Sequence, residues 1–135
     1  MLRTYGGGCH CGAVRFEADL DIAAGTHKCN CSICTKLRLW SVKIRPDAFR
    51  LLSGAAELTD FRGGNQVAHH LFCRRCGVHP FERIDMPNMD GAPYLNVNVA
   101  CLDGLDKAEL VAAPVTWCDG LNDDWGSRPA EVRHL

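Results

Sequence analysis

Seven of the nine cysteines in this chain fall into three tight groups: Cys9 and Cys11, spaced C-x-C; Cys29, Cys31 and Cys34, spaced C-x-C-x-x-C; and Cys73 and Cys76, spaced C-x-x-C. One or two intervening residues let both sulfurs of a pair face a common point, so each pair supplies two neighbouring vertices of a tetrahedron. The simplest division of the seven is four plus three. Cys9, Cys11, Cys73 and Cys76 would close a structural Zn²⁺ site joining the amino-terminal turn to a hairpin more than sixty residues away. Gly12 and Gly77 each follow such a pair, as suits a tight turn that aims backbone N–H groups at sulfur. A redox disulfide and an iron–sulfur cluster are the competing uses of the same four residues. Cys29, Cys31 and Cys34 would then bind a second Zn²⁺ and leave one position for water or substrate, the arrangement of a catalytic zinc. Two other readings stay open for the triplet. One adds a fourth protein ligand, the candidates being His27, His69, His70, His79 or a lone cysteine; the other makes Cys31 and Cys34 a redox-active C-x-x-C.

Composition narrows the class of protein. Nine cysteines in 135 residues are an odd number, which disfavours a complete disulfide framework and fits metal ligation in a reducing compartment. With 47% hydrophobic residues the chain can bury a core, and its length is that of a single domain spanning 1–135. A formal net charge of −1 gives no field that would gather nucleic acid or an anionic membrane surface. No apolar stretch approaches the roughly 18 residues of a membrane span, and "MLRTYGGGCHCG" lacks the apolar core of a secretory signal. The expectation is a cytoplasmic protein whose partners are small molecules.

The elements that must position the cysteines read mostly as strands. Ala13 to Glu17 alternate apolar with polar, as do Trp40, Val42 and Ile44, which precede a turn at Pro46 and Asp47 and a second apolar run ended by Gly54. Gly63, Gly64 and Asn65 separate two strand-like flanks, as in a hairpin. Leu95, Val97 and Val99 against Asn96 and Asn98 form the clearest strand, and "DKAELVAA" predicts a short helix that Pro114 stops. Residues 84–93 read as a loop, and the segment from Cys118 reads as an irregular tail packed through Trp117 and Trp125. Alternation sends His10 away from its cysteine neighbours and turns at most one of His69 and His70 inward.

The ordered motifs "GGCHCGAVRFEA", "CNCSIC", "FCRRCGVHPF" and "YLNVNVACLDG" resemble the glutathione-dependent formaldehyde-activating enzyme family, also called Gfa-like or centromere-protein-V-like, over about residues 5 to 125. The resemblance implies a mainly β, Mss4-like fold of several coiled antiparallel sheets in one domain. It implies that Cys9, Cys11, Cys73 and Cys76 hold a structural zinc and that Cys29, Cys31 and Cys34 hold the zinc associated with activity, two Zn per chain. It also implies a carbon–sulfur lyase-type reaction on glutathione adducts of small aldehydes, such as S-hydroxymethylglutathione. Many family members have small residues and a glycine after the triplet, whereas "TKLRLW" places Leu37, Arg38, Leu39 and Trp40 there, so a differently shaped pocket is expected.

Zn²⁺ favours the deprotonated form of a coordinating thiol, so an exogenous thiol in the open position would be a thiolate ready to attack an aldehyde. A zinc already carrying three thiolates is electron-rich, which favours thiol delivery over carbonyl polarisation. Glutathione brings two carboxylates. Of the basic residues near the clusters, Lys28, Lys36, Arg38, Arg62, Arg74 and Arg75, we single out Lys36 and Arg38 as those that would receive them. Asp60, Asp103 and Asp119 are conceivable general acids but fit better as turn residues, and Cys101 and Cys118 fit buried apolar positions or idle thiols. Two non-enzymatic functions compete: a thiol-binding carrier and a zinc-stabilised interaction domain.

Overall fold

The computed structural model describes residues 1–64, 66–86 and 92–135. Among them, ten strands form two sheets. The smaller takes the order β1-β2-β5, with β1 at Arg3–Gly8, β2 at Arg15–Leu20 and β5 at Phe49–Ser53. The larger takes the order β10-β3-β4-β9-β8-β7-β6. Its strands are β3 (Thr26–Cys29), β4 (Trp40–Ile44), β6 (Leu58–Arg62), β7 (Ala68–Cys73), β8 (Phe81–Ile84), β9 (Tyr94–Asn98) and β10 (Val115–Cys118). The mainly β expectation holds, with every strand pair antiparallel except β10 beside β3, which is parallel. No helix is long and apolar enough to cross a membrane.

Side-chain alternation explains how the sheets stack. In β2, Phe16, Ala18 and Leu20 turn inward, while Glu17 and Asp19 face out and engage Arg50. In β4 and β9 the inward set is Val42, Ile44, Leu95 and Val97. The two inner faces meet at three phenylalanines. Phe16 stacks on Phe49 with ring centroids 5.2 Å apart, and Phe81 of the larger sheet closes on them at 4.4 Å from Phe49 and 6.2 Å from Phe16.

The strand–turn–strand expected around Pro46 is present, but its two strands belong to different sheets. A single 3₁₀ turn at Pro46–Ala48 carries the chain from β4 across to β5. The Gly63–Asn65 hairpin is likewise present, with Arg62 paired to His69, although Asn65 lies outside the described residues, as do 87–91 of the expected loop at 84–93. Helix α2 (Lys107–Ala112) begins at Asp106, whose side chain accepts from the Ala108 N–H, and ends just before Pro114 as expected. The alternation read from Ala13 becomes a strand only at Arg15, because Ala13 and Val14 turn inward beneath the first cysteine pair.

Burial of the aromatic contact sets a stability expectation. Phe16→Ala should cost about 3–5 kcal/mol in urea unfolding, the range for removing a buried phenylalanine. Leu52→Ala, at a side chain 58% exposed, should cost about 0.5 kcal/mol or less. Equal effects would contradict the assignment of Phe16 to the junction of the sheets.

Candidate metal centres

The first candidate centre lies where the two sheets meet. Cys9 and Cys11 sit in the turn between β1 and β2; Cys73 ends β7, and Cys76 follows in the turn toward β8. Their four sulfurs all lie within 4.8 Å of one another, with Cys9 to Cys11 at 3.6 Å and Cys11 to Cys73 at 3.7 Å. A tetrahedral zinc with Zn–S bonds near 2.3 Å places its sulfurs about 3.8 Å apart, whereas a disulfide needs about 2.05 Å, so the donors fit a metal and not a bridge. All nine cysteines are free thiols. Gly12 and Gly77 adopt left-handed φ values of 81° and 77°, which makes the two turns tight enough to bring the sulfurs inward. Val14 donates its N–H to the Cys9 sulfur at 3.3 Å, and the N–H groups of Val78 and Cys11 hold the Cys76 thiol down to about 6. Cys9 and Cys73 are buried among Val14, Leu58 and Val78.

The second candidate centre is built at one corner of the larger sheet. β3 delivers Cys29; the chain then turns into helix α1 (Ser32–Leu37), with Cys31 at its N-cap and Cys34 one turn further on. The i, i+3 spacing places Cys31 and Cys34 on one side of the helix, and their sulfurs with that of Cys29 lie within 4.8 Å of one another. All three are partly exposed. Cys31 is pushed far below the ordinary thiol range, first by thiol hydrogen bonds from Cys29 and Cys34 and then by the N–H groups of Cys34 and Ile33 at the helix start. Cys29 is correspondingly pushed up to about 11 by its bond to Cys31, and Cys34 is pushed up by both neighbours. A divalent cation held here would end this competition for one negative charge, because it would stabilise all three as thiolates.

The carboxy-terminal tail completes this corner. Asn30, between Cys29 and Cys31, donates to Asp119 at 2.7 Å and accepts from the Leu121 N–H at 3.0 Å. Gly120 then passes so near the triplet that a Cβ there would stand 2.8 Å from the Cys29 sulfur and 2.7 Å from the Trp125 ring. Only glycine fits, and its absence of a side chain brings Trp125 alongside Cys29. Trp117 lies in β10, so the tail is more ordered than its composition implies.

Among the described residues, no histidine and no eighth cysteine joins either group within 4.8 Å. His69 holds Asp60 and Asp85 at 2.6 and 2.7 Å; His70 is buried on the face of the larger sheet opposite the apolar core. His27 and His79 each bury Nδ1 without a hydrogen-bond partner, and His10 is exposed. Cys101 is buried in the main core, which pushes its thiol up to about 11. Cys118 is the register partner of Cys29, a half-buried free thiol beside the triplet, which fits the idle-thiol alternative rather than the buried apolar one.

The basic and acidic candidates separate clearly. Arg74 and Arg75 both clamp Glu57, and Arg62 donates to the Gln66 carbonyl. Lys36 in the last turn of α1 and Arg38 at its C-cap are exposed. Arg38 comes near enough to Lys28 to lower it further after burial has done so. Asp60, Asp103 and Asp119 are committed to His69, Arg15 and Asn30 respectively. Of the residues expected to reshape the pocket, Leu39 is buried and Trp40 donates to Thr26 Oγ1 while packing on the core, so both are used in holding the sheet.

The comparisons agree with this arrangement. The sequence model of the family described as glutathione-dependent formaldehyde-activating enzyme matches residues 4–119. A solved structure of a Rhodobacter sphaeroides protein, obtained as a structural-genomics target, is similar at 33% identity and a TM-score of 0.68, covering 82% of this chain and 99% of that one. With both cysteine groups and the β framework inside the matched span, the chain belongs to the glutathione-dependent formaldehyde-activating enzyme family.

Proposed function

We propose that this protein is a two-zinc, carbon–sulfur lyase-type enzyme that makes and breaks the adduct between glutathione, or a similar thiol, and a small aldehyde such as formaldehyde. The observation that carries this reading is the contrast between the two cysteine groups: four sulfurs, two of them from buried cysteines, and three partly exposed sulfurs with no fourth described ligand. A Zn²⁺ held by Cys29, Cys31 and Cys34 would keep a substrate thiol in its thiolate form at neutral pH.

The chain's own residues divide the remaining work. Cys9, Cys11, Cys73 and Cys76 hold the two sheets in register through the structural metal. Gly120 leaves room beside Cys29, and Trp125 offers an aromatic wall to the bound adduct. Lys36 and Arg38, which face solvent beside the triplet, receive the carboxylates of the tripeptide. Free thiols throughout the molecule fit the reducing cytoplasm, and the domain occupies the whole of 1–135.

Metal counting and mutation test the division. Purified protein should carry two zincs. Cys9→Ser should abolish the cooperative thermal transition, because structural-zinc binding energy is folding energy. Cys31→Ser should stay folded with one zinc. A titrated chelator should remove one zinc well before the other, with the thermal transition preserved after the first loss. Survival of Cys9→Ser beside collapse of Cys31→Ser would reverse the assignment.

Exchange NMR of formaldehyde, glutathione and their adduct tests the reaction. The native protein should raise interconversion above the buffer rate, and Cys31→Ser should return it to that rate. Zinc-dependent glutathione binding at the unaccelerated buffer rate would replace the enzyme with a thiol carrier.

A further inference from the structure

The larger sheet has two covered faces. One is the apolar core; the other carries Ile84 and Tyr94 but is mostly polar, and several of its polar side chains are nevertheless buried. Ser41 is 4% exposed, His70 6% and Glu82 2%, although no apolar cluster includes any of them. Strand register lays these groups across the sheet in a row: His70 on β7 pairs with Glu82 on β8, Glu82 with Asn96 on β9, and Asn96 with Lys43 on β4. His70 Nδ1 and Glu82 Oε1 are 2.6 Å apart, and Asn96 donates its amide to Glu82 Oε2 at 3.3 Å. As a carboxylate Glu82 can only accept, so Nδ1 carries the hydrogen, and Nε2 is free of hydrogen bonds among the described residues.

The same face carries the triplet. Cys29 follows His27, and His27 pairs with Ser41 on the strand next to Asn96 and Asn98. The His70 ring feels the charge of Cys31, the Cys34 thiol feels that of Glu82, and Tyr94, neighbour of Asn96 on β9, feels Glu82, Cys29 and Cys34 together. Asp60, Asp103 and Asp119, the acids that sequence offered for the hydroxyl proton, are committed to other partners.

We propose that His70, oriented by Glu82 and Asn96, is the general acid and base that handles the hydroxyl proton of the adduct. The inference rests on the reaction proposed above. In formation, the substrate sulfur's electron pair makes the C–S bond while the carbonyl π pair takes the proton from His70 Nε2–H, leaving neutral imidazole that regains a proton from water. In cleavage, neutral Nε2 removes the hydroxyl proton, the C=O bond reforms, and the C–S pair departs with sulfur. Glu82 and Asn96 are positioning residues: they fix the tautomer and ring angle without touching substrate.

The charged and titratable groups facing the imidazole are Glu82 from β8, Asp60 from β6, His79 from the segment before β8, and Cys31 from the triplet. Glu82, by its hydrogen bond, is the largest influence and raises the imidazole above its ordinary value. Cleavage needs the neutral ring, so its rate should climb as pH rises through this elevated value. Formation, which needs the protonated ring, should decline over the same interval.

The test uses the full-length zinc-loaded protein with His70→Gln, Glu82→Gln and Cys31→Ser. In the native protein, the His70 ring resonance, identified by its loss in His70→Gln, should titrate above about 6.5. It should titrate lower in Glu82→Gln, and should shift on adding the glutathione–formaldehyde adduct to native protein but not to Cys31→Ser. His70→Gln should keep two zincs and lose about 10²- to 10⁴-fold of the catalysed exchange, and Glu82→Gln should move the pH inflection downward. Native catalysis that Cys31→Ser abolishes but His70→Gln leaves intact overturns this inference alone. A native rate equal to buffer overturns the reaction reading and this inference with it. Should His70→Gln fail to fold, Glu82→Gln decides: an unmoved inflection rejects the role.

Discussion

The rest of the molecule depends on four sulfurs meeting between two sheets. Cys9 and Cys11 lie in the turn of the smaller sheet, and Cys73 and Cys76 at the end of a hairpin in the larger one, so a metal held there would fix one sheet on the other. Hydrophobic contact alone would do this weakly. The smaller sheet has three strands, and its main contribution to the joint core comes from one face of β2 and a few side chains around it. Four thiols within 4.8 Å of one another, two of them buried, are a poor substitute for apolar packing unless something binds them together. A divalent cation would do so: it would compensate the thiolate charge, while amide donors such as Val14 N–H satisfy the sulfurs. Sheets held this way would keep Phe16 and Phe49 against Phe81.

The triplet obeys the same chemistry under a different geometry. Its three sulfurs come from consecutive local structure, the end of β3 and the first turn of α1, so assembling them demands no long-range closure. The tail packs against the triplet through Asn30, which ties its loop to Asp119 and Leu121, and through Gly120, which lets Trp125 lie beside Cys29. Three local sulfurs leave a fourth tetrahedral position for an exchangeable ligand, whereas four sulfurs drawn from both sheets, two of them from buried cysteines, fill the tetrahedron themselves.

Legibility in the sequence followed the range over which each feature is determined. Metal-type spacing is local, so all seven clustered cysteines were readable as two groups, and Leu95 to Val99 or Lys107 to Ala112 declared themselves by period and capping. Strand order is not local. Nothing in "VTWC" announces a parallel partner for β3, and the turn at Pro46 gives no sign that it joins two sheets rather than closing a hairpin. Glu82 stands in "FERI" as an ordinary polar position, and only the order β9-β8-β7 places it against His70 and Asn96. Gly120 and Trp125 sat in what read as an irregular tail, because a close approach of backbone to sulfur leaves no periodic trace.

The buried polar face carries the larger argument. A sheet of this size could be covered on its second face by apolar residues at no cost in hydrogen bonding, yet His70, Glu82 and Ser41 occupy it. A half-satisfied network of this kind is worse for stability than an apolar one, and here the His70 Nε2 is left without a hydrogen bond among the described residues while His70 Nδ1 and the Asn96 amide N–H both engage Glu82. Unlike His27 and His79, whose Nδ1 atoms are buried without any partner, His70 has one nitrogen held by a carboxylate and the other left unpaired on the face that also carries three thiols, and folding alone gives no reason for that combination. A reaction that must move one proton between oxygen and solvent each time a carbon–sulfur bond is made or broken does give one.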